Sequence, residues 1–307
     1  MIRIIVPCSS DVRIKDLYKS LKKDGLKEVH KEIKITICLN NPTEKVKQIV
    51  ENFDNLICET FSTKKRGSSV AKNEAIKSSI KNTDYFNFLD TDCVVKKGYS
   101  QNLIKATKEK NCPLIFRGLV EFIPSKSLLS ELNCYLRTIS YKNNPKSFLS
   151  PNITVSRKVF EKVGLFNKEM RFGEDLEFGQ RISEFGFKVE KRGSIKIIHK
   201  DDESFLKTIK TMLGYGRDRA FRIWRRVKLK QIKLRLFDQI LGFQPYWESI
   251  DPLKILFGLF YIFISRTSCL FALFLLFKKG DEFFLEVEMI NGTKRIIKKL
   301  PFERDLP

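Results

Sequence analysis

Histidine is scarce in this chain, with only His30 and His199 present. The seven cysteines include no pair at CxxC spacing, so no zinc-binding pattern can be assembled. Several cysteines lie inside apolar runs (Cys38 in IKITICL, Cys58 in NLICETF), where the residue behaves as a small buried hydrophobe. Their odd number, and an N-terminus that opens on the strand-like MIRIIVP rather than a secretory leader, point to a reducing compartment. No internal repeat or low-complexity segment appears, and the apolar and charged fractions exclude wholesale disorder. Acid is in short supply: 36 acidic residues stand against 58 basic ones, a net charge of +22. Such a balance favours an anionic partner, whether nucleic acid, phosphorylated substrate or acidic membrane surface. Charge alone does not separate these three.

At 307 residues the chain can bury one sizeable core, with or without a smaller appendage. Its first half alternates β-branched runs with helical stretches. Strands are predicted at Arg3–Val6, Ile33–Leu39, Leu56–Thr60 and Tyr85–Leu89, and helices at Ile14–Leu26, Thr43–Asn52 and Ser68–Ile80. This βαβα rhythm predicts an α/β fold, a mostly parallel sheet flanked by helices, with ligands bound beyond the carboxyl ends of the strands. Further strands are expected at Pro113–Phe122 and Ile195–His199, with a helix near Leu128–Tyr141 and a strand, helix, loop and helix across Asn152–Lys188.

Four strings carry candidate chemistry. FLDTDCVV places Asp90 and Asp92 just past a strand, pointing to the same side if extended, where they can share a hard cation that bridges a diphosphate. Acids also favour turns, so the pair alone decides nothing. RFGEDLEFGQRISEFGF sets Glu174 and Asp175 at the start of an amphipathic helix, as caps for its N–H groups or as a general base toward an acceptor hydroxyl. KKRGSSVAKNEAI opens a helix in which Gly67, Arg66 and Lys72 suit a phosphate, or simply form a solvated surface. His199 ends the strand IKIIHK and, as neutral imidazole, could complete a metal site.

In this order the strings resemble glycosyltransferase family 2, whose members have the GT-A (Rossmann-like) fold. RGSSVAKNEAI is similar to the family's Gly-x-Ser-x-Ala-Arg-Asn helix, FLDTDCVV to its Asp-x-Asp motif, and NITVSRKVFEKVGLFNKEMRFGEDLEFGQRISEFGFKV to its acceptor-side stretch. The likeness covers roughly residues 1–215. It implies an inverting transferase of hexosyltransferase type that moves a sugar from a nucleotide-sugar donor with Mn²⁺ or Mg²⁺. Asp90 would contact the nucleotide, Asp92 and His199 would hold the metal, and Asp175 would be the base with Glu174 as its alternate. Pro7 and Lys72 match donor-pocket positions, and Arg66 adds a cation beside them. The chain departs from the family where an acidic pair usually follows the second strand. Asn40 and Asn41 stand there, and their amides could still bond a base or ribose. The usual asparagine after the first-strand proline is replaced by Cys8-Ser9-Ser10, and no Gln-x-x-Arg-Trp motif of processive synthases appears, so single addition is expected.

Beyond residue 215 the character changes. A basic amphipathic segment is expected over 216–250, since Arg217–Arg235 carries nine basic side chains and one acid interleaved with apolar residues. Residues 251–280 hold the apolar run Ile255–Phe277, interrupted by Ser265, Arg266, Thr267 and Ser268. Its polar centre and positive flanks on both sides predict a re-entrant or interfacial helical hairpin rather than a single span, with a buried helical pair as the soluble alternative. The polar tail 281–307 reads as a hairpin turning at Asn291-Gly292. Expected partners are therefore a nucleotide-sugar donor, a lipid-linked or saccharide acceptor and an anionic membrane surface, at the cytoplasmic face of a bacterial inner membrane. Nucleic acid is not expected, since no nucleic-acid module accompanies the basic stretch. The competing readings are a nucleotidyltransferase of related fold and a non-catalytic basic membrane- or nucleic-acid-binding protein.

Overall fold

A computed structural model describes residues 1–63, 67–144, 148–168, 170, 173–201, 204–228, 251–279, 284–290 and 293–299. The strands are β1 (Ile2–Cys8), β2 (Ile33–Asn40), β3 (Cys58–Thr63), β4 (Tyr85–Phe88), β5 (Cys93–Val95), β6 (Ile115–Pro124), β7 (Ile153–Ser156) and β8 (Glu190–Asp201). They form one eight-stranded sheet in the order β3-β2-β1-β4-β7-β6-β8-β5. The half from β3 to β4 is parallel, as the sequence rhythm predicts. The other half is mixed: β7 runs antiparallel to β4 and β6, and β5 antiparallel to β8.

Both faces of the sheet are covered. Ile4 and Val6 of β1 face a core built with α1 (Ile14–Lys23), α2 (Glu44–Glu51) and α4 (Tyr99–Lys108). Ile5, on the opposite side, joins Phe86, Phe88, Phe160 and Phe178 under α3 (Ser68–Ser79), α6 (Arg157–Val163) and α7 (Glu174–Glu184). Burial on both sides explains why β1 reads as a continuous apolar run rather than an alternating one.

α5 (Leu128–Asn143) lies between β6 and β7, while α8 (Phe205–Lys228) begins upstream of the 215/216 boundary and runs straight through it. Arg217–Lys228 of the basic stretch belong to α8, and 229–235 lie outside the described residues. The apolar run is not a hairpin: Pro252–Lys279 is one unbroken helix, α9, of 28 residues. Its polar centre does not turn the chain, because the hydroxyls bond within or beside the helix. Ser265 Oγ donates to the carbonyl of Ile262 (3.2 Å), Thr267 Oγ1 to that of Phe263 (2.9 Å), and Ser268 Oγ to that of Leu213 on α8 (2.8 Å). Gly216 is essential to that crossing, since a Cβ there would sit 2.2 Å from the Ser265 carbonyl oxygen. Nor is α9 a buried pair member all round, for Leu256, Phe263, Phe271 and Phe274 are each more than 60% exposed.

α9 is tied to the same body before, along and after its length. Lys254 pairs with Glu131 of α5 (3.4 Å), and Ser268 binds α8. Past its end, β9 (Phe284–Glu288) and β10 (Lys294–Lys299) make the expected antiparallel hairpin; Asn291 and Gly292 lie outside the described residues. The Glu288 carbonyl accepts from Leu165 N (3.0 Å), and its carboxylate pairs with Lys77 of α3 (2.9 Å).

Candidate active site

A cavity of about 1380 Å³ opens at the carboxyl ends of β1, β2 and β4, where the switch from parallel to mixed pairing leaves a crevice. Pro7, Asn40, Gly67, Asp90, Asp92, Asp175 and His199 line it together. Residues separated by up to 192 positions thus share one site. Antiparallel pairing of β5 with β8 sets Cys93 opposite His199, and Lys200 N donates to the Asp92 carbonyl (3.0 Å). This register brings His199 Nε2 to 3.2 Å from Asp92 Oδ1 and 3.8 Å from Asp90 Oδ2. The imidazole is buried and rests against the Phe122 ring (centroids 5.4 Å apart).

Asp92 Oδ1 is itself buried and accepts no hydrogen bond from the described residues. An orphaned carboxylate oxygen is costly, and one aimed with an imidazole nitrogen at a common point is a donor set that suits a divalent cation. Cys93 Sγ lies in the same cluster, within 4.8 Å. Burial, reinforced by Asp90 and Asp92, holds its thiol pKa well above the ordinary value, so without a cation beside it Cys93 is a neutral thiol. Lost hydration also raises Asp92, to about 6, with Arg13 pulling it down and Asp11 pushing it up. Asp90 is raised by burial and then by the Asp92 charge.

The family model described as glycosyl transferase family 2 matches residues 4–164. The chain belongs to glycosyl transferase family 2. No curated protein matches it in sequence. Among solved structures it resembles the mannosyltransferase PcManGT from Pyrobaculum calidifontis in complex with GDP-Man and Mn²⁺, at 12% identity and TM-score 0.53, over 91% of this chain and 76% of that one. It also resembles GalNAc-T7 with UDP, GalNAc and Mn²⁺, at 13% identity and TM-score 0.50, over 70% of this chain. The match takes in 47% of the GalNAc-T7 chain, about half its length. These likenesses establish a shared GT-A fold.

The two acids of the Glu-Asp motif, which lies beyond the matched residues 4–164, part company. Asp175 faces the cavity, where Ser150 N (3.1 Å) and Leu176 N (2.8 Å) donate to its carboxylate. Burial, and then the neighbouring Glu174 charge, lift its pKa to about 6, against the pull of Lys72 and those two N–H groups. Glu174 sits behind the cavity wall, its oxygen 2.8 Å from Lys72 Nζ. Although burial works against the charge of Glu174, the Lys72 ammonium keeps its pKa below the ordinary value. One acid is thereby fixed as an anion while the other is tuned toward neutrality, the division expected of a structural and a proton-accepting carboxylate.

Lys72 is not on the cavity surface. It lies buried over the rings of Phe88 and Phe166, with its ammonium committed to Glu174. Its helix explains this. Ser69, Lys72 and Asn73 occupy positions i, i+3 and i+4 and so share one face of α3. Ser69 Oγ donates to the Met170 carbonyl (2.9 Å), and Asn73 exchanges hydrogen bonds with the Phe166 backbone (2.8 and 3.0 Å). The face that sequence reading assigns to the donor clamps the segment leading into the Glu-Asp motif. Replacing Lys72 with methionine leaves Glu174 as an uncompensated buried charge and should cost about 3–5 kcal/mol of stability. Denaturant unfolding would measure it, and adding Glu174→Gln should recover part of the loss.

Asn40 lines the cavity and bridges both backbone groups of Gly67, donating to its carbonyl (2.8 Å) and accepting from its N–H (3.3 Å). At φ 130° Gly67 needs its freedom from a Cβ. Arg66 lies outside the described residues. Sequence reading missed Asp11 and Arg13, just past β1. Arg13 bridges Asp11 (2.7 Å) and Asp92 (3.4 Å), while Thr91 Oγ1 donates to Asp11 (3.0 Å). Their place after a strand end was the available signal. No motif marked Asn133 and Arg137 on α5, or the α8 and α9 side chains that also line the cavity.

Proposed function

We propose that this family 2 protein is an inverting, metal-dependent transferase that moves a sugar from a nucleotide-sugar donor to a hydroxyl of a lipid-linked saccharide in cell-surface polysaccharide assembly. The observation that carries the reading is the Asp92–His199 pair, 3.2 Å apart, on the same cavity as the proton-accepting Asp175. Pro7, Asn40, Gly67 and Asp90 bound the donor end, with Asp90 beside the nucleotide. Asp92 and His199 would hold Mn²⁺ or Mg²⁺, which neutralises charge building on the diphosphate. Asp175 takes the proton of the acceptor hydroxyl as that oxygen bonds to the anomeric carbon. The bond from that carbon to the diphosphate breaks, its electron pair leaves with the nucleoside diphosphate, and the anomeric configuration inverts. A calorimetric screen of UDP-, GDP- and dTDP-sugars with each metal is expected to find one tight donor–metal pair. Absence of binding to every combination would end this reading.

The outward face of α9 and the basic charge of α8 support attachment to anionic lipid at the cytoplasmic face of the bacterial inner membrane. The contacts of Lys254, Ser268 and Glu288 with the catalytic body support a placement of α9 along the bilayer surface rather than across it. Purified protein should co-sediment with phosphatidylglycerol-containing vesicles, with release by high salt only partial. A cysteine placed at Thr293 should be labelled from the same side as the catalytic body. Labelling from the opposite side, or full recovery in the soluble fraction without detergent, would contradict this.

A further inference from the structure

The cavity has a second charged wall that the carboxylate centre leaves unused. Arg219 and Arg222 on α8 and Arg266 on α9 line it, with Lys207 at its edge. The backbone crossing at Gly216 and Ser265 explains why they meet. Arg219 lies three residues beyond Gly216 and Arg266 directly follows Ser265, so both stand near a tight contact between the two helices and line the same cavity. Arg222 follows Arg219 at i+3 on the same helix face. All three guanidinium groups also act on the buried Cys269 thiol, opposing the rise in pKa that burial gives it. A wall of guanidinium groups in a half-buried cavity gives a multivalent anion a favourable field. Arginine is the side chain whose planar fork matches phosphate oxygens two at a time.

The same helix shows where such an anion would come from. α9 turns Tyr261, Ile262, Ser265 and Arg266 into the cavity and Phe263, Phe271 and Phe274 outward. The arginine wall is thus one side of a helix whose other side is exposed and apolar. It also lies beyond residue 164, where the family match ends, and opposite in sequence to the donor end on β1, β2 and α3. We infer that Arg219, Arg222 and Arg266 form a subsite for the phosphate or diphosphate of a lipid-anchored acceptor, which reaches Asp175 from the bilayer alongside α9. This rests on the reading of the cavity as a glycosyl-transfer site.

The test uses the full chain in neutral detergent with EDTA, so that the carboxylate centre cannot recruit phosphate through a metal. Farnesyl diphosphate, farnesol and inorganic diphosphate are titrated by calorimetry. Farnesyl diphosphate should bind at least about tenfold more tightly than either of the others, and Arg219→Gln with Arg222→Gln should weaken it by about tenfold or more, the scale of losing a charged hydrogen bond. Arg266→Gln alone should act in the same direction, and Arg266→Lys should restore part of the loss. Binding of the preferred nucleotide sugar with metal should survive in every variant, which also reports that each one folds. Equal affinity for farnesol would remove the anion subsite, and equal affinity for inorganic diphosphate would make it a site for free phosphate. A parallel loss of nucleotide-sugar binding in the folded variants would assign the arginines to the donor. Failure of wild type to bind any nucleotide sugar would instead strike the underlying reading, and the two failures are separable.

Discussion

Asp92→Ala should lower sugar transfer by about three orders of magnitude, the scale on which removing one preorganised charge-stabilising contact acts. Its Oδ1 is the buried oxygen that accepts no hydrogen bond from the described residues, and it faces His199 Nε2. Asp90 is the other carboxylate beside His199 Nε2, but at 3.8 Å it stands farther off than Asp92 at 3.2 Å. The variant should lose Mn²⁺-dependent enhancement of donor binding while nucleotide alone still binds without metal. Asp92→Asn separates charge from shape, and should behave like the alanine variant if the ligand charge is what matters. Undiminished donor turnover in Asp92→Ala would sink the metal-dependent mechanism. Arg13→Gln should be milder, because Arg13 also anchors Asp11 and its loss leaves the Asp92 oxygen in place.

Asp175→Asn should reduce kcat by about 10²–10⁴-fold, the usual contribution of a positioned general base, with donor affinity nearly unchanged. Its pH behaviour is the sharper check. A base lifted to about 6 is protonated and idle below that value and ionised above it. Wild-type kcat/KM should therefore rise with pH through about 6 and level off. Glu174→Gln should move this midpoint downward, because the neighbouring negative charge is one of the causes of the rise, second to burial. It will also disturb Lys72, so the shift must be read against folded fraction. An Asp175→Asn enzyme with wild-type turnover would transfer the base role away from this residue.

Much of this was legible in the linear chain, for identifiable reasons. The parallel half of the sheet is signalled by short apolar runs that alternate with helices, and the acids stand where such sheets bind ligands. What was not legible depends on long-range pairing. That His199 belongs with Asp92 is implied in the sequence only by the family resemblance; the ladder between residues 93 and 199 that brings them together is specified by no local pattern. Lys72, a lysine near a glycine turn, reads in the sequence as a phosphate contact. Only the packing of α3 against Phe166–Glu174 shows that its ammonium is spent on Glu174. The run at 255–277 was read as bent because Ser265–Ser268 interrupt its hydrophobicity. Their hydroxyls are satisfied by backbone carbonyls in and beside the helix, which a hydropathy profile does not register. The cavity's α8 and α9 wall is not legible in the sequence because Arg219 and Arg222 are merged into a longer basic stretch and Arg266 stands inside an apolar run.

The contact between Glu288 and the catalytic body also has a consequence for biosynthesis. Lys77 and Glu288 are separated by 211 residues, and the β9 strand that carries Glu288 also takes the N–H of Leu165. The seam between α3 and the end of α6 therefore stays unsealed until Glu288, which follows α9 in the chain, has emerged from the ribosome. A chain stalled within α9 would present the unsealed seam to chaperones and proteases.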